Sequence, residues 1–147
     1  MGYSAKYDFI KKTVDFKGSI SDSIKLNIVN YFNDSFKQYN LNWHSDLIIF
    51  TLLPFRNNQT IVIDFYDPGF GKVSKVYYSI NKSETIKNNN GDNIDCWVME
   101  HDGSDPKFGN FIQRFWISKT TNEVLKEEDK TPNGFRYKLK IGVASEE

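Results

Sequence analysis

Few side chains in this 147-residue chain could do chemistry: two histidines, one cysteine and scattered acids. His44 and His101 each stand close to a carboxylate in sequence, Asp46 and Asp102. Such a pair can orient a general base or a metal ligand. No HxH or HExxH spacing brings the histidines together, and His101 falls at an expected hairpin end, where a solvated polar residue needs no function. Cys96 lies between Ile94 and Val98. A nucleophilic thiol needs a cationic, partly open setting, so this one reads as a small apolar core residue. No GxSxG is present, which excludes a nucleophile elbow. The run from Asn88 to Asp95 (NNNGDNID) resembles a calcium loop, but with Gly91 at position six the first ligand would be Ile86, so a hairpin turn is the better account. Gly69-Phe70-Gly71-Lys72 lacks the spacing of a phosphate cradle. No catalytic residue, metal site or cofactor is expected, and the chain reads as something other than an enzyme.

The aromatic residues are more informative. They make up 16% of the chain, an excess over an ordinary soluble mixture. Tyr66, Tyr77, Trp97, Met99 and Trp116 are assigned to the strand face opposite Phe65, Val76, Tyr78, Cys96, Val98, Phe115 and Ile117. One face of an antiparallel sheet usually meets water. Large apolar side chains on both faces imply that something covers the second: the N-terminal third, a partner or a ligand. Tyr66, Tyr77, Trp97, Met99 and Trp116 are therefore the candidate ligand-binding residues. They would suit a hydrophobic small molecule or a lipid.

These residues need strands to position them. Alanine occurs only twice, whereas isoleucine, valine, threonine and aromatics are plentiful, and that mixture suits a pleated, half-buried surface. Strands are expected over 60–66, 75–80 with 83–86 continuing past a bulge, 94–99, 111–118, 123–127 and 135–143. In the last of these Phe135, Tyr137, Leu139, Ile141 and Val143 alternate with cations, which predicts apolar side chains inward and cations in water. Asn133-Gly134 before it suits a type I′ turn, and Asp102-Gly103 reads as another turn. Residues 47–53 favour a short helix capped by Ser45 and ended by Pro54, with a buried strand as the competing reading. Over 20–39, Ile20, Ile24, Ile28, Phe32 and Phe36 fit helical spacing, but Ile24, Leu26 and Ile28 also alternate. Strand plus irregular chain is the expectation there. Residues 1–10 are expected to be loosely attached. The result is one domain, 1–147, mostly β (α+β): a curved antiparallel sheet or half-barrel meander with one or two short helices.

Composition narrows the classes further. Nineteen basic residues balance nineteen acidic ones, which argues against nucleic acid as a partner. A single cysteine excludes an intramolecular disulfide. No stretch of 18 apolar residues exists, so no transmembrane helix is expected. The first residues have no apolar signal region, which fits either a cytoplasmic protein or an exported one whose signal has been trimmed.

Several runs carry a family likeness. Asn42 to Leu47 (NWHSDL), Phe50 to Pro54 (FTLLP), Ile63 to Gly69 (IDFYDPG), Asp95 to Val98 (DCWV), Phe115 to Lys126 (FWISKTTNEVLK) and Tyr137 to Lys140 (YKLK) resemble an uncharacterised family of bacterial envelope proteins most familiar from Bacteroidetes. The likeness spans roughly residues 40–142. In fold expectation the family is similar to periplasmic lipoprotein carriers of the LolA/LppX kind. The resemblance implies a place in the periplasm or cell envelope, a hydrophobic or lipid-like ligand, or an envelope protein partner. It transfers no catalytic residue.

Overall fold

The structure, a computed structural model, describes residues 2–42, 45–69, 71–88, 90–105 and 109–140. It is mostly β, with two antiparallel sheets, two short helices and no closed barrel among the described residues. The chain divides into two compact units, Met1–His44 with Ile63–Lys75, and Ser45–Val62 with Val76–Glu147.

The first unit opens with a hairpin of β1 (Tyr3–Asp8) and β2 (Thr13–Gly18). Residues 3–8, expected to be loosely attached, are thus held in a strand. The Asp8 carboxylate closes the turn by accepting from the Ile10 and Lys11 amides at 3.0 and 2.8 Å. A helix, α1 (Asp22–Ser35), follows. This corrects the strand expected over 20–39, for a local reason. The alternation covers three residues only, whereas the i, i+4 row runs from Ile20 to Phe36. Ser21 also supplies an N-cap, its hydroxyl accepting from Ile24 N at 3.4 Å. Phe32 on that row is fully buried, and the rings of Tyr7, Phe9 and Phe36 meet it edge-on at 4.9 to 5.3 Å. Leu41 pairs with Phe65 in an isolated parallel bridge.

β3 (Gln59–Phe65) starts in the second unit and ends in the first, and β4 (Ser74–Lys87) runs the other way. With β5 (Asn93–Asp105), β6 (Gly109–Ser118), β7 (Val124–Thr131) and β8 (Gly134–Leu139) they form a meander in sequence order. The expected bulge in β4 is present: the register with β5 shifts between Ile80 and Lys82. β5 runs beyond its expected end, through Asp102-Gly103. Gly103 is tolerated in mid-strand because the Phe111 ring lies over it, so close that a Cβ there would come within 2.3 Å of the ring.

Cross-strand partners share a face, so the register assigns the side chains. Ile80, Met99, Phe115 and Glu127 fall on one face; Val98, Trp116 and Lys126 fall on the other. The first face packs on α2 (Asp46–Ile49) and the 3-10 turn Phe50–Leu52 that continues it, through the Phe50 ring, 5.2 Å from Tyr78 and 5.0 Å from Phe115. This is the short helix expected near residues 47–53. Leu53 ends it in the extended conformation that a residue before proline must adopt. Ser45 holds the N-cap position without a side-chain capping bond. On the second face Cys96, Val98 and Trp116 form a buried cluster with Ile86, Ile94 and Leu125 against it. Trp116 Nε1 donates to Glu84 at 2.8 Å, and the Lys126 ammonium sits 4.2 Å above its ring.

Candidate functional site

The residues selected from sequence do not share one face: within the second unit Met99 and Trp116 lie on opposite faces of the sheet. Tyr66 is buried in the first unit, where burial pushes its hydroxyl well above its ordinary value. Met99 is fully buried beside Phe115 and Ile80. Trp116 is buried on the opposite face with Cys96 and Val98, not across from them. Trp97 shares the face of Ile117 and lies 4.6 Å below the Lys119 ammonium. Tyr77 is exposed on β4. The grouping fails because residue alternation assigns faces within a strand, while register alone relates one strand to the next.

The other chemical candidates take bland places. Cys96 is buried, which raises its thiol, as a core cysteine requires. His101 and Asp102, adjacent on a strand, point to opposite faces and form no pair. His101 Nδ1 bonds the Tyr77 carbonyl at 3.0 Å, so that nitrogen carries the proton, and the ring packs between Tyr78 and Phe111. Burial lowers its pKa. His44 lies outside the described residues. Asn88 closes the β4–β5 hairpin, its side-chain oxygen accepting from the Asn90 and Asp92 amides at 2.9 Å each. Among the described residues no group of three or more His, Cys, Asp or Glu is placed to hold a metal ion.

The unexpected feature is the β7–β8 hairpin. Its loop is Pro132-Asn133, with Thr131 opposite Gly134. Proline in second place and glycine in fourth suit a type I turn, and Asn133 does not take the positive φ that type I′ would require. This moves the turn one residue from the expected Asn133-Gly134 and resets every partner. Lys138 therefore meets Glu127 at 2.7 Å, and Arg136 Nε meets Asp129 at 2.8 Å. Gln113 Nε2 donates to the other Asp129 oxygen at 3.0 Å. Glu127 and Asp129 are buried, 3% and 7% exposed, on the face that carries Phe115 and Gln113. Burial raises the Glu127 carboxyl against the pull of Lys138.

The expected burial of the last strand's apolar residues is thereby overturned. Its cations turn toward buried carboxylates, while Phe135, Tyr137 and Leu139 remain 56–60% exposed on the other face. Residues 141–143 of that expected strand lie outside the described residues. Sequence contained a signal for this arrangement: acids at period two in β7 facing cations at period two in β8. It becomes readable only once the turn is placed correctly.

Beside this hairpin lies a cleft of about 540 Å³, lined by Asp102, Phe111, Ile112, Lys130 and Pro132 among others. It was not visible in sequence, because its walls come from three strands, β5, β6 and β7, and the β7–β8 turn.

No curated protein and no solved structure matches the chain. One family model does, over residues 3–143, and it is described as a protein of unknown function. That span takes in both sheets and the β7–β8 hairpin, and the chain therefore belongs to the uncharacterised family DUF3108.

Proposed function

We propose that this chain is a noncatalytic binding domain of the cell envelope or periplasm that holds an apolar, lipid-like ligand on the outer face of β8. One observation carries the reading: Phe135, Tyr137 and Leu139 stand exposed together on one face of β8, while Arg136 and Lys138, themselves about half exposed, share the other face and pair with the buried Asp129 and Glu127. A one-residue slip would exchange the two sets, and the ion pairs to Asp129 and Glu127 hold the register against it. The stripe is thus fixed outward, where an apolar partner can cover it. The envelope location rests only on the sequence resemblance to bacterial envelope proteins and on the carrier-like fold which that resemblance leads one to expect.

The test is solvent extraction and native mass spectrometry of the purified chain beside a Phe135→Ser, Tyr137→Ser double variant. A stoichiometric lipid-like adduct on the wild type, absent from the folded variant, supports the reading. A wild type that carries no adduct and acquires none from envelope lipid extract overturns it.

A second reading has its own support. β8 is the last strand of the sheet order, so among the described residues no strand lies beside its outer backbone groups. An extended segment of an envelope protein could add there as a further strand. Slowed amide exchange along β8 on mixing with such a partner would favour it.

A further inference from the structure

The stripe on β8 is continuous with a pair of charges. Register places Asp102 opposite Ile112, Ile112 opposite Lys130, and Lys130 opposite Phe135, one row on one face of four strands. Asp102, Ile112 and Lys130 all line the 540 Å³ cleft. The other charges of that face on these strands are matched within the protein: Arg114 with Glu100, and Lys126 with Glu128 at 2.5 Å. Asp102 and Lys130 make no ion pair among the described residues. Two strand spacings, about 10 Å of backbone, separate them across the apolar Ile112.

We propose that the ligand is a zwitterionic amphiphile. Its head lies in the cleft, the cationic group toward Asp102 and the anionic group toward Lys130, and its chain runs along Phe135, Tyr137 and Leu139. The inference rests on the binding reading above and adds the ligand class and the head-group site. A purely anionic head would face the Asp102 carboxylate, and a purely cationic one the Lys130 ammonium; a head carrying both charges satisfies each. Phe135 is the cross-strand neighbour of Lys130, so the chain leaves the head directly onto the stripe. From Phe135 to Leu139 the stripe extends about 13 Å along the strand.

The experiment titrates the full isotope-labelled chain with dodecylphosphocholine and, separately, with dodecyl maltoside, each below its micelle concentration, and follows amide shifts. The two share a tail and differ in charge. The expected result is shifts at Gly103, Ile112, Lys130 and Phe135, with dodecylphosphocholine bound about tenfold tighter, the scale of two partly exposed ion pairs. Asp102→Asn and Lys130→Gln, both surface changes, should each reduce that preference toward parity at unchanged melting temperature. Equal affinity of the two detergents on the stripe overturns the head-group site and leaves the apolar binding reading standing. Shifts confined to residues away from β5–β8 overturn the site as well. Failure of both detergents to bind removes both readings together.

Discussion

In β5 and β6 both faces are closed, Met99 and Phe115 buried on one and Val98 and Trp116 on the other, whereas no side chain of β8 is buried. Both regions alternate apolar and polar residues or carry apolar residues throughout, and both belong to one meander. The difference lies in what sits opposite. β6 has apolar partners in register on β5, Met99 for Phe115 and Val98 for Trp116. β8 faces two buried carboxylates, and those decide its orientation. Turning β8 over would cover three apolar side chains, worth about 1.5–3 kcal/mol each only if fully buried, which an edge strand cannot achieve. It would also leave the buried carboxylates of Glu127 and Asp129 unpaired, at about 2 kcal/mol each once the half-exposed cations are allowed for. Partial burial at an edge gains little against that, so alternation yields to the charges.

The sharpest test of the contrast starts in the closed region. Phe115→Ala should destabilise the second unit by about 3–5 kcal/mol, because the ring is fully buried beneath Phe50 and Tyr78. Urea denaturation followed by tryptophan fluorescence reads it, and Phe115→Leu, which leaves a smaller gap, should recover more than half. A loss under 1 kcal/mol for the alanine variant would mean that the site is not packed as described.

Next in size is the lock on β8. Asp129→Ala removes the acceptor of both Gln113 and Arg136, and should cost about 2 kcal/mol, the buried charge pair being discounted for the half-exposed guanidinium. A double-mutant cycle between Glu127→Ala and Lys138→Ala isolates the second pair, with a coupling of about 1 kcal/mol expected. Coupling near zero in the cycle, with little loss in Asp129→Ala, would leave the orientation of β8 without its cause.

How far sequence could carry this picture follows from the same physics. The short helix before Pro54 was legible because proline dictates its end. α1 was misread because β-branched residues pulled against a helical row, and the N-cap at Ser21 decides between them. The extension of β5 through Asp102-Gly103 was hidden, since a glycine in a strand is explained only by the ring across from it, Phe111. The candidate site suffered most. Assigning Trp97, Met99 and Trp116 to one surface required register, a long-range property that no local pattern encodes. The exposed stripe of β8 depended on a turn displaced by one residue.

A smaller effect separates the two regions by pH. Burial holds His101 below its ordinary value, while the Tyr77 carbonyl and Asp102 pull weakly the other way. The unfolded chain then takes up a proton before the folded one does, so stability falls as pH drops below about 6.5 and is restored above it. Glu127 acts with the opposite sign from its ordinary value of 4.5 upward, its raised carboxyl favouring the folded state when protonated. Melting temperatures measured between pH 5 and 7 in about tenth-molar salt should therefore show a shallower acid-side fall for His101→Gln than for the wild type. An unchanged slope would place the imidazole in solvent rather than between Tyr78 and Phe111.

The smallest effect on stability should come from the stripe, and it bears most directly on function. Tyr137 is 59% exposed, its ring touches Phe135 at 6.1 Å, and its cross-strand partner is Glu128. Little apolar area leaves water there on folding, so Tyr137→Ser should change the unfolding free energy by less than about 0.5 kcal/mol. Serine is a weaker strand former than tyrosine, which sets the sign toward a slight loss. If the stripe instead packs against the rest of the chain, the same change should cost as much as a core truncation, and Tyr137→Ser would rank beside Phe115→Ala. If the stripe exists to be covered, the variant keeps its melting temperature and loses retention of a dodecyl-chain probe. The ratio of those two losses, large in β6 and inverted in β8, measures how differently one sheet uses its two ends.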